Sequence, residues 1–453
     1  MKRFLILTFT LFIGLSLAQT SLNTTPAASP QNTIARTKVA TVEQLVSVAQ
    51  AGGNILLAEG VYDLSSTLVL QADVNIVGQG KDKTIIRSAA GGNVIQFSGA
   101  GKFVLKSLTV SHIGDAYGNA LQIDNGTIEI RHARFTGGVW GQESNNGGVG
   151  LLISGSTTGK VNHCIFEENG LHGASVGGNT IINFAENVFQ NNSASGLVFW
   201  GGASGKASIS SFVNNGEHGI LLADNANPRL DKNVISNNKA SGIAMWGSSS
   251  GRITNNTIES NGQHGIFLVE ANHPKIDNNV INLNQQNGIT YWGSSTGSAL
   301  TNKITNSGLN GVSLGGTANP FISQNEISSN AAAGIALWEN ANGDIMTNSI
   351  QSNGADGITI EGTVKTRIES NTITANQNGI SISNNSYARI VANTIVSNSQ
   401  NGVAAADSSE PKLIKNEFRS NQRWAVVASK ASKIKLVDNI FIDNVEGDVF
   451  QEN

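Results

Sequence analysis

Hydrophobic positions recur along most of the chain with a period of about 23 residues, within the range typical of repeat architectures. Each repeat has a glycine followed by an aliphatic or small residue, and the interval between successive glycines is constant except for one step that is shorter by one. These glycines are Gly150, Gly173, Gly196, Gly219, Gly242, Gly265, Gly288, Gly311, Gly334, Gly357, Gly379 and Gly402. Counting the glycine as position 0, positions 1, 3 and 16 are apolar in nearly every repeat. Alternation is the period of a β-strand, so each repeat is predicted to hold short strands with alternate side chains pointing inward.

Two polar positions are almost as regular as the apolar ones. Position 14 is Asn from Asn187 to Asn439 apart from Ser210, and position 19 is Asn from Asn169 onward with one interruption at Ser307. An Asn side chain has both a donor and an acceptor, so amides stacked at the ~4.8 Å spacing of β-strands can hydrogen-bond along the stack. We interpret both columns as structural asparagine ladders rather than ligand sites.

The length of the repeat limits the architecture. A unit of this length is too short for a propeller blade and lacks the helical period of tetratricopeptide or HEAT units, which leaves one turn of a parallel β-solenoid. The segment from Gly150 to Asn444 resembles the right-handed parallel β-helix repeats of pectin-lyase-like proteins, NosD and alginate epimerases, through rhythms such as that of residues 255–266. The right-handed sense of the coil is implied by this resemblance, because the period alone does not determine it. The expected fold is all-β, a single-stranded right-handed parallel β-helix with an N-terminal capping helix.

The N-terminal region carries three different signals. Residues 1–18 combine Lys2 and Arg3 with an apolar run and a small-residue end, which predicts a signal peptide, and residues 19–38 are polar without periodicity, which predicts a flexible linker. Residues 41–44 form a capping box before an amphipathic pattern that ends at a Gly-Gly pair, which predicts the capping helix. The predicted divisions are 1–18 (signal peptide), 19–38 (linker), 39–149 (capping helix and irregular first coils), 150–445 (regular coils) and 446–453 (C-terminal cap).

Charge is scarce in this chain. Asp, Glu, Lys and Arg make up 13% of the residues and the net charge is −3, which argues against nucleic-acid binding by bulk charge. The single cysteine, Cys164, excludes an internal disulfide. We expect a monomer that is secreted or held in the periplasm or cell envelope, and the predicted leader without a later apolar span indicates no transmembrane segment in the mature chain.

An aromatic column is the first candidate for a binding surface. Position 4 is occupied in alternate repeats by Trp200, Trp246, Trp292 and Trp338. If positions 1 and 3 point inward, position 4 points outward, and rings two coils apart are about 9.5 Å from each other. That spacing is close to a disaccharide step of an extended β-1,4-linked glycan, so these residues are candidates for sugar stacking. The alternative is that each ring folds over the next turn as peripheral core.

A basic column at position 10 is the second candidate. It includes Arg229, Arg252 and Lys275 in consecutive coils. These cations could follow the carboxylates of an acidic polysaccharide, or they could form a solvated face that discourages sheet-edge association. The two columns need not share a face.

Other chemistry receives less support from the sequence. His172, His218 and His264 recur in alternate repeats, but residues two coils apart are too distant to share one metal ion, so we interpret them as turn residues and expect no metal or cofactor. The acidic residues Asp224, Glu270, Glu339 and Glu361 are scattered singly over different coils. The motifs that the resembled alginate epimerases and polygalacturonases use in catalysis are absent, and no catalytic residue can be named.

Three functions remain open at this point. The first is an exported β-helix that binds an extended polysaccharide along its side. The second is a polysaccharide lyase, epimerase or hydrolase with its site near the irregular loops around His112, Asp115, Tyr117 and Trp140. The third is an envelope scaffold that binds protein through the same apolar stripe.

Overall fold

The structure is a computed structural model that describes residues 35–143 and 146–452. The predicted leader and most of the predicted linker lie outside the described residues. The described chain forms a parallel right-handed β-solenoid of about 17 turns with about 23 residues per coil, which confirms the predicted fold class. Each coil contributes one strand to each of three parallel sheets, and strands of successive coils are neighbours. Ile243 pairs with Ile266, so residues one repeat apart are stacked as the period predicted.

Sheet 1 is formed by the strands that lie at positions 8 to 12 of the regular coils. Its strands in the described chain are Thr37–Val39, Gly53–Leu57, Val74–Val77, Lys102–Lys106, Thr127–Arg131, Thr158–Asn162, Ile181–Ala185, Ser204–Ser208, Asn227–Asp231, Arg252–Thr254, Lys275–Asp277, Ser298–Leu300, Phe321–Ser323, Asn342–Met346, Lys365–Glu369, Tyr387–Val391, Lys412–Ile414 and Lys435–Val437.

Sheet 2 is formed by positions 15 to 17. Its strands in the described chain are Gly60–Leu64, Thr84–Ser88, Thr109–His112, Arg134–Thr136, Ile165–Glu167, Val188–Gln190, Ser211–Val213, Val234–Ser236, Thr257–Glu259, Val280–Asn282, Lys303–Thr305, Glu326–Ser328, Ser349–Gln351, Thr372–Thr374, Thr394–Val396, Glu417–Arg419 and Ile440–Ile442.

Sheet 3 is formed by positions 1 to 3. Its strands in the described chain are Leu68–Leu70, Ile95–Phe97, Leu121–Ile123, Leu151–Ile153, Ala174–Val176, Leu197–Phe199, Ile220–Leu222, Ile243–Met245, Ile266–Leu268, Ile289–Tyr291, Val312–Leu314, Ile335–Leu337, Ile358–Ile360, Ile380–Ile382, Val403–Ala405, Trp424–Ala428 and Gly447–Gln451. A separate antiparallel pair, Trp140–Gly141 with Asn146–Gly147, projects from the irregular coils.

The turns on either side of sheet 2 explain the asparagine ladders. Asn255 and Ser260 have positive φ angles of 58° and 56°, and each directly precedes a ladder residue, Asn256 or Asn261. The left-handed residue turns the chain sharply, and the amide that follows is buried. Nδ2 of Asn256 donates to Leu230 O at 3.1 Å and to Oδ1 of Asn279 at 3.0 Å. Both predicted ladders are confirmed.

The helix α1, Val42–Ala51, covers the first coils. Oγ1 of Thr41 accepts a hydrogen bond from the backbone N–H of Gln44 at 3.3 Å, as the capping box predicted. Leu45 and Ala49 are fully buried against the core, so α1 shields apolar residues that the first coils would otherwise expose. Among the described residues, no helix has the length and apolarity needed to cross a bilayer. At the other end, Gly447–Gln451 pairs with Trp424–Ala428 as a mostly exposed strand.

Candidate functional site

The outer side of sheet 3 is sheltered although a lateral sheet face normally meets solvent. Its outward residues at position 2 include Val198, Leu221 and Ala244, which form a small apolar cluster and are at most 7% exposed. Side chains from the turns that precede and follow its strands lie over this strip, and we call these two borders the edges of sheet 3. On one edge stands the Trp column, which we define as Trp200, Trp246, Trp292 and Trp338 at position 4. On the other edge stands the His column, which we define as His172, His218 and His264 at position −1.

The Trp column points outward and is half-buried. Trp200 is 38% exposed, Trp246 is 45% exposed and Trp292 is 43% exposed, while Trp338 is somewhat more sheltered. These are large exposures for indole rings, because burying an aromatic side chain removes 150–250 Å² of surface from water. Each ring therefore packs partly against the protein and is partly exposed to solvent.

Glycines under the rings allow them to lie against the rod. A Cβ atom added to Gly177 would lie 1.9 Å from Cε2 of Trp200, and one added to Gly315 would lie 2.1 Å from Cζ3 of Trp292. Nε1 of Trp200 also donates to Oγ of Ser175 at 3.1 Å. The bare backbone lets the ring of Trp200 lie over the preceding coil and the ring of Trp292 over the following coil, while a large part of each ring remains open to solvent.

The His column has a structural task that the sequence did not reveal. Nδ1 of His172 accepts a hydrogen bond from the backbone N–H of Ser195 at 3.2 Å, and His264 accepts one from Asn287 at 3.3 Å. Burial lowers the pKa of each of the three imidazoles to about 4, so they are neutral at neutral pH, as an accepting Nδ1 requires. The residues that the structure describes contain no cluster of three or more metal-ligating side chains.

Acidic residues at position 5 stand beside the Trp column. Oδ2 of Asp224 accepts from the backbone N–H of Gly201 at 2.9 Å, and Oε2 of Glu270 accepts from that of Gly247 at 2.7 Å. Both acidic residues have positive φ, at a position where Gly is the usual alternative. Position 5 holds Gly in most coils and Asp or Glu in others, which was the signal for these residues, but the sequence alone presented them as scattered charges.

The basic column lies on sheet 1, and the structure does not bring it together with the Trp column. Nζ of Lys275 is 3.5 Å from Asp277, and Arg229 is 3.6 Å from Asp231, whereas Arg252 has no ion pair within the described ranges. Burial opposes the ionisation of Asp231, yet hydrogen bonds and the neighbouring cations hold the pKa of its carboxyl below the ordinary value. Much of the positive charge of this column is thus paired locally.

The irregular coils place their candidate residues in different environments. His112 is 2% exposed and its Nε2 is 3.0 Å from Ala90 O, whereas Asp115 and Tyr117 are exposed. Trp140 lines a shallow depression of about 660 Å³ together with Glu168. No acid–base pair between these side chains is seen in the described part of these coils.

Several solved structures are distantly similar to the chain. One is the Azotobacter vinelandii mannuronan C-5 epimerase AlgE4 A-module (16% identity, 90% of this chain and 92% of that chain, TM-score 0.30). Another is a single-residue mutant of the periplasmic alginate epimerase AlgG (13%, 89% and 83%, TM-score 0.43). A third is an alpha-1,3-glucanase catalytic unit from Streptomyces thermodiastaticus (13%, 73% and 65%, TM-score 0.49).

Sequence comparison is more decisive than these distant structural likenesses. No curated protein matches the sequence. The family model described as "Right handed beta helix region" matches residues 79–222, 204–308 and 291–418, which together span most of the solenoid. The resemblance seen in the repeat is confirmed, and the chain belongs to the right-handed β-helix family.

Proposed function

We propose that this is an exported protein that binds an extended polysaccharide along the outer side of sheet 3. The Trp column supplies the stacking surface, and the observation that carries the proposal is its regular exposure: Trp200, Trp246 and Trp292 are each 38–45% exposed in alternate coils. Aromatic rings in water are costly unless a ligand covers them, and the apolar C–H face of a sugar ring is a suitable cover.

The spacing of the column favours a linear ligand. The backbone positions that carry the rings are about 9.5 Å apart along the rod, close to a disaccharide step of a β-1,4-linked glycan. The coils between carry Ala223, Val269 and Gly315 at the same position, so no large side chain separates the tryptophans. A chain of sugars laid along the rod therefore has a tryptophan position beside every second unit.

The proposed location is outside the cytoplasm, in the periplasm, on the cell surface or in the medium. It is supported by residues 1–18, in which an apolar run follows Lys2 and Arg3. Fusion of residues 1–25 to a reporter that is active only after export tests this part. A reporter that stays inactive, with an established leader as positive control, contradicts it.

The binding proposal is tested by affinity electrophoresis through gels that contain neutral, amino or acidic glycans. Trp246→Ala and Trp292→Ala are each expected to weaken retardation about tenfold, which corresponds to roughly 1.4 kcal/mol. Phe321→Ala is the matched control, because Phe321 is an aromatic residue of similar exposure (39%) on sheet 1. Absence of retardation on every glycan, or an equal loss in the Phe321 variant, contradicts the proposal.

A further inference from the structure

Around the Trp column, the two edges of sheet 3 carry carboxylates and no basic residue. In the coils from Gly150 to Gly402, the nine positions from −2 to 6 contain no Lys or Arg, although the chain has 29 such residues. The acidic residues at these positions are Glu217, Asp224, Glu270, Glu339, Asp356, Glu361 and Asp407. The side of the rod that presents the Trp column is therefore negative, and the basic column lies on a different sheet.

Two of these carboxylates alternate with the rings. Asp224 lies in the coil between Trp200 and Trp246, and Glu270 lies in the coil between Trp246 and Trp292. Because successive coils are ~4.8 Å apart, the backbone positions of rings and carboxylates alternate from Trp200 to Trp292, whereas the coil between Trp292 and Trp338 has Gly316 at position 5. Each of the two disaccharide steps between Trp200 and Trp292 therefore passes one fixed negative charge.

The carboxylates are held in place and keep a free acceptor. One oxygen of Asp224 bonds the backbone of Gly201, and one oxygen of Glu270 bonds that of Gly247. The second oxygens, Oδ1 of Asp224 and Oε1 of Glu270, have no hydrogen-bond partner in the part of the chain that the structure describes, and both residues are exposed. Each group is therefore a positioned acceptor that faces solvent beside an aromatic ring.

We infer that the glycan is a polymer of amino sugars whose amino groups are free and protonated, an inference that rests on the proposed function. Its protonated amino groups donate to Asp224 and Glu270, while its sugar faces stack on the Trp column. Charge-assisted hydrogen bonds are roughly twice as strong as neutral ones, so ammonium groups are better partners here than hydroxyls. A uronate or sulfate polymer would place like charges against this edge, where no cation is available to pair with them.

The test compares three hexamers of defined charge by titration calorimetry: β-1,4-linked glucosamine, its N-acetylated form, and mannuronate. At a pH that keeps the amines protonated and at low salt, the glucosamine hexamer is expected to bind at least about tenfold more tightly than the N-acetylated one. This difference is expected to shrink as salt is added, since exposed charge pairs are screened. The mannuronate hexamer is expected to bind weakest.

The decisive variant combines Asp224→Asn with Glu270→Gln. Each amide retains an oxygen that can accept from Gly201 or Gly247, so the turns are preserved while both charges are removed. This variant is expected to lose about tenfold in affinity for the glucosamine hexamer and to change less than about twofold for the N-acetylated hexamer. The matched control combines Glu259→Gln with Glu326→Gln, which removes the same charge from sheet 2.

The outcomes separate this inference from the proposed function. If the N-acetylated hexamer binds through Trp246, as shown by Trp246→Ala, but glucosamine binds no more tightly, glycan binding stands and the amino-sugar inference is wrong. An equal loss of affinity for the glucosamine hexamer in the sheet 2 control would also overturn the inference. The cationic glycan would then be attracted by the net charge of the protein and not by Asp224 and Glu270. If none of the hexamers binds and no glycan retards the protein, the proposed function fails as well.

Discussion

Nδ1 of His218 accepts a hydrogen bond from the backbone N–H of Ser241, one coil further along the rod, at 3.2 Å. Later coils use Asn at the same position: Oδ1 of Asn287 accepts from the N–H of Asn310, and Oδ1 of Asn310 accepts from that of Ala333. His and Asn are thus interchangeable acceptors in a third ladder, which lies at the edge of sheet 3.

This ladder predicts a pH dependence of stability. In the folded protein the pKa of His172, His218 and His264 is about 4, below the ordinary value of about 6.5. Between these values the unfolded chain binds more protons than the folded one, so the free energy of unfolding falls as the pH falls from about 6.5 to about 4. Above about pH 6.5 the three imidazoles are neutral in both states, and their contribution to the free energy of unfolding is fully present. Replacing all three residues with Asn keeps the acceptors and is expected to flatten this slope.

The measurement is the denaturant midpoint of the natural and triple-variant proteins at about pH 7 and about pH 4.5. Carboxylates titrate in both proteins, so the difference between the two slopes isolates the imidazoles. Equal slopes would show that the histidines do not stay neutral in the fold. A triple variant that is much weaker at pH 7 would show that Asn cannot serve as the acceptor at these coils.

The interruption of the position 19 ladder is a place to add stability. Oγ of Ser307 is buried and has no hydrogen-bond partner among the described residues, while its backbone N–H donates to Oδ1 of Asn330. Ser307→Asn supplies a side-chain oxygen that can accept from Nδ2 of Asn284, as in the rest of the ladder. The substitution is expected to raise the free energy of unfolding by about 1 kcal/mol. Thermal and denaturant unfolding measure the change.

The control for this substitution is Ser210→Asn in the position 14 ladder. Oγ of Ser210 already accepts from the N–H of Asn187 at 3.1 Å and donates to Ser208 O at 2.8 Å, so the amide replaces bonds that exist. A smaller gain is expected there than at Ser307. If both variants gain equally, the unpaired hydroxyl is not the cause.

The glycine that marks each repeat is required by close packing. A Cβ atom at Gly242 would lie 2.5 Å from Cγ2 of Ile258 and 2.8 Å from Gly265 O. Gly242→Ala is therefore expected to lower the free energy of unfolding by roughly 1–3 kcal/mol, the usual cost of overpacking. Gly91→Ala is the control, since the nearest atom there is 3.7 Å away. Similar losses at the two sites would refute the steric explanation.

Much of the fold is determined by features that can be recognised in the sequence. The period of the glycine column fixed which residues are stacked, because in a solenoid each coil pairs only with its neighbours. The stacking of Asn256 on Asn279 and the burial of the side chains at position 16 could therefore be predicted without coordinates. The capping helix was also predictable, because its signals are local to residues 41–53.

The sequence by itself determined the repeat, the register and the inward positions, since these depend on spacing along one direction of the rod. It left open which outward columns share a face, because that depends on how sharply the chain turns between strands. Only the tertiary structure separated Trp246 from Arg252 and placed Asp224 beside the rings. It also decided that His218 serves as a backbone acceptor, because the depth of a side chain depends on what the adjacent coils leave uncovered.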